Sequence, residues 1–184
     1  MARHSDPKLE GRILKAARKL WHEGGEDALS MRAVAKAAGS NTPAVYRRFR
    51  SREEILRALV NDYQRQLIQQ IVPCKSPQEI AESILKFALG RPREYQLITS
   101  GLLARMTQER PGVDFAAYRA AELLGGSPKD HFNLTTAVWA LVHGMALLQI
   151  SGTMPEADHA RARVAFKHAL DLLIRNQDDL RRMD

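Results

Sequence analysis

The sequence predicts an all-α protein of about nine helices, in which a small N-terminal helix-turn-helix unit is joined through its fourth helix to a larger helical domain. Three observations carry that expectation. Apolar residues recur at helical spacing along most of the 184 residues, and no segment alternates with period two under β-branched enrichment. Helix-start signals, with Ser or Thr before Pro or three residues ahead of Glu, recur between the apolar segments. Positive charge is gathered at one end: residues 1–60 hold 13 Lys and Arg against 7 Asp and Glu, while residues 61–184 hold 15 against 14. An excess confined to one third of the chain points to a polyanion partner there.

Asp6-Pro7 starts helix 1, about residues 8–22, whose Leu9, Ile13, Ala16, Ala17 and Leu20 share a face; Gly24-Gly25 is expected to end it. Ser30 caps helix 2, about 31–38, and Gly39 supplies a turn residue free to take positive φ. Thr42 as N-cap with Pro43 at the first position starts helix 3, 43–49. Ser51-x-x-Glu54 reads as a capping box opening helix 4, about 52–72, which Pro73 stops. Ser76-Pro77-x-Glu79 opens helix 5, about 77–89, Arg91-Pro92 opens helix 6, and Pro111-Gly112 is expected to close the segment that follows. Helix 7 is placed at 114–124, helix 8 from Ser127-Pro128 to about 150, and helix 9 at about 156–176.

Residues 30–56 carry six Lys and Arg: Arg32, Lys36, Arg47, Arg48, Arg50 and Arg52. Two short helices joined by a Gly-containing turn make a helix-turn-helix, whose second helix can enter a major groove with its first residues at the base edges. Here that end carries Asn41, Thr42, Pro43 and Ala44. Asn and Thr can hydrogen-bond base edges, and Ala or the Pro ring can pack on a thymine methyl. Tyr46 can give a hydroxyl to a phosphate, and Arg52 in the first turn of helix 4 can join the helix amides in holding one. Val45 and Phe49 read as core.

A single cysteine, Cys74, excludes an intrachain disulfide framework and fits a reducing compartment, with no partner to make it a nucleophile. The N-terminus lacks an apolar stretch of signal-peptide type, so a cytoplasmic location is expected. The apolar run 134–150 is about one membrane span long, yet it includes His143 and Gln149 and lacks basic flanks, so it reads as a buried helix and no membrane partner is expected.

Helix 8 is apolar nearly all round, and helix 9 presents Val164, Phe166, Ala169, Leu170, Leu173 and Ile174 on a wide face. Such helices need cover on more than one side. Two copies of the chain would supply it in a four-helix bundle across a twofold axis, giving a homodimer through helices 8 and 9.

The pattern Ala35-x-x-Ala38-Gly39, then Val45-Tyr46-x-x-Phe49-x-Ser51-Arg52-Glu53-x-x-Leu56, resembles the DNA-binding domain of the TetR family of repressors over roughly residues 8–57. The resemblance implies a DNA-binding domain at 1–57 and an effector-binding and dimerisation domain at 58–184. It places Arg32, Thr42, Pro43, Ala44, Tyr46 and Arg47 at DNA-contact positions, and Ser30, Arg48 and Arg52 at positions that hold phosphates. Three residues depart from the family's habit: Ser40 stands where an apolar residue is usual, Arg48 where His is common, and Arg52 where Lys is common.

Trp139-x-x-x-His143-Gly144 resembles the signature of one C-terminal domain type of that family, the Trp-His-Gly type. The implied function is that of a regulator, a repressor foremost, that binds a palindromic double-stranded DNA operator as a dimer and is released by a small-molecule effector. Residues available for an effector pocket are Phe87, Tyr95, Met106, Phe115, Tyr118, Trp139, His143 and Met145. No cofactor or metal is expected.

Two other classes compete. Glu156-x-x-His159 has the spacing of di-iron helical bundles, but a second copy is missing, and no phosphate-cradling Gly loop or nucleophile signature occurs, so no enzyme is expected. A helical protein-interaction module without DNA binding would explain helices 8 and 9 but not the basic, capped turn.

Overall fold

Leu9, Ile13, Ala16, Ala17 and Trp21, a single stripe of the first helix, are buried, and the first core is built on them. The computed structural model describes residues 8–101 and 111–182, with backbone alone for 111–114. Among these residues every regular element is helical: α1 Leu9–Ala28, α2 Met31–Ala37, α3 Thr42–Tyr46, α4 Arg52–Ile71, α5 Pro77–Gly90, α6 Pro92–Thr99, α7 Pro111–Leu124, α8 Phe132–Ile150, α9 His159–Arg175 and α10 Gln177–Arg181. Short 3-10 turns at Pro128–His131 and Glu156–Asp158 lead into α8 and α9.

The chain divides into two compact units. One takes the chain up to Gln64 and resumes at Arg93; the other takes Arg65–Pro92 and the C-terminal helices. In the first, Val34, Ala35, Val45, Phe49, Ile55, Leu59 and Val60 close over the α1 stripe. Each large apolar side chain so buried contributes about 1.5–3 kcal/mol. Leu97 of α6 joins the same core, and Trp21 Nε1 donates to the Arg93 carbonyl at 3.1 Å. His22 Nδ1 lies 3.2 Å from the carboxylate of the buried Glu94.

In the second unit α5 packs on α8 and α9, and α8 on α9. Ala81, Leu85, Ala88, Leu134, Val142, Ala146, Phe166 and Leu170 are among its buried residues. Arg119 donates to the carbonyls of Cys74 (2.7 Å) and Val72 (3.3 Å), closing the end of α4. Burial first of all pushes the Cys74 thiol up, which keeps it a poor nucleophile at neutral pH.

Several helix ends differ from expectation. Gly25, at φ 61°, ψ −137°, breaks the first helical run as expected, but a further turn follows it to Ala28, with Leu29 buried beyond. The N-cap of α3 is Asn41, not Thr42, since Asn41 adopts the extended backbone and its side chain accepts from the Ala44 N–H. Pro111 stands at the first position of α7, where its missing N–H costs nothing; the segment it is expected to close lies outside the described residues. The chain does not end at α9: Asn176 breaks the helix and α10 follows, its Leu180 carbonyl held by Asn133 Nδ2 at 2.9 Å.

The start signals carry one regularity. Glu54 and Glu79 each accept, at 2.7 Å, from the N–H one residue before the capping serine, Arg50 and Lys75 respectively. The shorter Asp130 reaches only the Ser127 N–H itself, also at 2.7 Å.

Candidate nucleic-acid interface

The first unit builds its turn from local chemistry. Ser30 has extended backbone and accepts from the Ala33 N–H at 3.1 Å, which starts α2. Val34, Ala35 and Ala38 turn inward, and Gly39 reverses the chain at φ +62°. Asn41 Oδ1 accepts from Ala44 N–H at 2.9 Å and restarts the helix as α3. Arg12 of α1 donates Nε to the Ala38 carbonyl at 3.2 Å, steadying the end of α2 at the turn.

Five residues of α3 leave little to choose from: Ala44 and Val45 face the core, and Pro43 and Tyr46 face out, Tyr46 with half its surface exposed. The chain continues as tight turns to the buried Phe49, with Phe49 N–H on the Val45 carbonyl at 2.9 Å. Asn41, Pro43, Tyr46 and Arg47 are exposed, as are Ser30 and Arg32 at the start of α2; Thr42 and Arg48 are half-buried. These eight residues are available at the surface of the same unit. Ala44 is the correction. Expected at the base edges, it is buried, because on so short a helix the residue beside Val45 is needed to seat α3 on the core.

Arg52 is placed at the first turn of α4, as expected, but its guanidinium is engaged within the chain. Nε donates to the Leu29 carbonyl at 2.7 Å, Nη2 to the Glu26 carbonyl at 2.9 Å, and both Nη atoms lie 3.2 Å from Glu26 Oε1. Sequence periodicity gives no sign of this contact, which ties α4 to the end of α1.

The residues expected for an effector pocket differ widely in exposure. Phe87 is buried and Tyr95 fully so, the latter in the first unit, where burial raises its hydroxyl pKa. Phe115 and Met145 are half-buried, Tyr118 is exposed, and Met106 lies outside the described residues. Trp139 stacks on His143, ring centroids 5.4 Å apart and planes 13° from parallel, on the outward side of α8. Burial lowers the His143 pKa. An open groove of about 430 Å³ lies elsewhere, lined by Ala169, Leu172, Leu173, Asn176, Asp179 and Leu180. Glu156 sits in a 3-10 turn and His159 Nε2 lies 3.2 Å from the Met154 carbonyl; no group of three His, Cys, Asp or Glu forms among the described residues.

Two family models match. Residues 13–59 match the one described as "Bacterial regulatory proteins, tetR family", and residues 78–173 match "Tetracyclin repressor-like, C-terminal domain". The second description gives no support to the Trp-His-Gly type expected from residues 139–144. No curated protein matches the chain. Among solved structures, TetR-Q116A from Acinetobacter baumannii AYE in complex with minocycline is 24% identical, with 94% of this chain and 97% of that one covered and a TM-score of 0.68. A protein of unknown function from Rhodococcus sp. RHA1 is 20% identical, with 96% and 98% covered and a TM-score of 0.70. The multidrug binding protein EbrR complexed with imidazole is 21% identical, with 94% and 93% covered and a TM-score of 0.65.

Proposed function

Because the chain belongs to the TetR family of bacterial regulatory proteins, DNA-binding regulators that answer to a ligand and are generally not enzymes, we propose that it is a cytoplasmic repressor. It binds a palindrome-like operator as a homodimer, blocks a promoter sterically, and is released by a small organic effector. The observation that carries the reading is the outward face of α3. A short helix fixed by the Asn41 cap and the buried Val45 and Phe49 presents Thr42, Pro43, Tyr46 and Arg47, beside Arg32 and Arg48. Thr42, Pro43, Arg32 and Arg47 read bases; Ser30, Tyr46 and Arg48 hold the backbone.

The same reading assigns residues 1–57 to DNA binding and 58–184 to sensing and pairing. Pairing uses α8 and α9, which keep large apolar side chains exposed, among them Phe132 and Val164 at 55% and 70%. Pro128–Ile150 is long and apolar enough to cross a membrane, but an outward stripe covered by a second copy accounts for that composition without a bilayer. Phe87, Phe115 and Met145 are pocket candidates within the second unit. The effector shifts the dimer only by its differential affinity for the two head spacings.

Selection of bound sequences from random duplex DNA tests the whole reading. Two inverted half-sites about 34 Å apart are expected. Recovery of no enriched sequence, with no duplex binding at low salt, would sink it.

A further inference from the structure

We propose that Arg52 is a positioning residue for DNA binding, which fixes the corner between α1 and α2 and holds no phosphate itself. The proposal rests on the reading of the first unit as the DNA-binding surface. A guanidinium has five N–H donors. Four of those of Arg52 are directed at the chain: one to Leu29 O, one to Glu26 O and two to Glu26 Oε1. The acceptors are the Glu26 carbonyl in the last turn of α1, which also takes the Leu29 N–H at 3.3 Å, and the carbonyl of Leu29 just beyond the helix; the Glu26 carboxylate beside them neutralises the charge.

The anchored Leu29 carbonyl belongs to the peptide plane that carries the Ser30 N–H, and Ser30 is the N-cap of α2. Fixing that plane fixes the direction in which α2 starts, and with it the amides of its first turn and the neighbouring Arg32. The Arg52 side chain is only 28% exposed, whereas Glu26 is 74% exposed, so the carbonyl bonds are the better shielded part of the clamp. A lysine would bring one point charge and could not serve both carbonyls in the fork geometry.

The test is titration of the full chain with mixed-sequence duplex DNA across a KCl series, well below the melting temperature of each variant. For Arg52→Gln we expect affinity to fall roughly tenfold at every salt concentration, the scale of a lost charge-assisted hydrogen bond, with the slope of log K against log salt unchanged. A slope shallower by roughly 0.9 would mean a lost phosphate contact and overturn the proposal. Wild-type affinity with a lowered melting temperature would mean a purely structural residue and overturn it equally. Should Arg52→Gln not fold, Arg52→Lys decides: reduced affinity at constant slope supports the positioning role, and wild-type affinity and slope refute it. Failure of the unaltered chain to bind any duplex at low salt is a separate result, which removes the DNA-binding reading before any variant is compared.

Discussion

The backbone N–H of Ser40 donates to the carbonyl of Ala35 at 2.9 Å, a six-to-one closure across the end of α2. Gly39 makes the closure possible at φ +62°. The residue in Ser40's place commonly packs an apolar side chain back on the last helical turn, and a half-buried serine offers almost none. Ser40→Val is therefore expected to stabilise the first unit by about 0.5–1 kcal/mol, seen as a higher melting temperature. Gly39→Ala isolates the backbone effect, because its added methyl meets nothing within 4 Å. It should cost about 1–2 kcal/mol. If it melts like the unaltered chain, the left-handed turn is not the constraint argued here.

Asn41 does two jobs at one position, capping α3 and standing exposed where the operator would lie. Asn41→Ala should lower stability by about 1 kcal/mol through the lost acceptor for the Ala44 N–H. Asn41→Asp keeps the acceptor but adds a negative charge, so it should melt normally while binding duplex DNA more weakly. Thermal melts and a duplex titration separate the two; an Asp variant that binds as tightly as the original would place Asn41 away from the phosphates.

What was legible in the sequence was local chemistry. Ser30 and Ser76 cap where their spacing to the next helix says they should, and the α1 stripe is buried because a 20-residue helix gives its periodicity several turns to register. The rest depends on partners far along the chain. Glu26 meets Arg52 across 26 residues, and α10 is held by Asn133 and by Asp130, 47 and 51 residues away, with no apolar period of its own. On the five-residue α3, periodicity cannot tell which side faces inward, so Ala44 reads as a base contact although it is buried. Aromatic identity likewise does not encode direction: Trp139 and Tyr118 point outward while Tyr95 is buried.

Asp130 makes α10 sensitive to acid. Its Oδ2 accepts from the Ser127 N–H at 2.7 Å and from Arg181 Nη2 at 2.6 Å. The Ser127 amide first, and then the Arg181 guanidinium, lower its pKa from 3.8 to about 2. Between those values the unfolded chain binds more protons than the folded one, so this contact contributes fully above 3.8 and is lost as pH falls through about 2. Hydrogen exchange of the α10 amides should speed up across that window, and Asp130→Asn should show fast exchange at neutral pH with the acid step removed. An acid step that persists in the Asn variant would assign it to another carboxylate.

Leu148 tests the pairing of two chains. It lies 42% exposed on α8 beside Leu147, and α8 packs on a second helix, α9, that exposes Val164 and Leu172. Water covers these side chains in a single copy, so Leu148→Asp should leave the secondary structure and melting of the monomer close to unchanged. Across a twofold axis the new carboxylate enters the seam twice, where it must be desolvated without a partner. The dimer dissociation constant is expected to rise on the order of 100-fold or more. Sedimentation of the variant at micromolar concentration should then give the mass of one chain, and duplex binding should weaken because the two heads are no longer linked. A variant that sediments as the unaltered protein does would remove Leu148, and the face of α8 that carries it, from the interface.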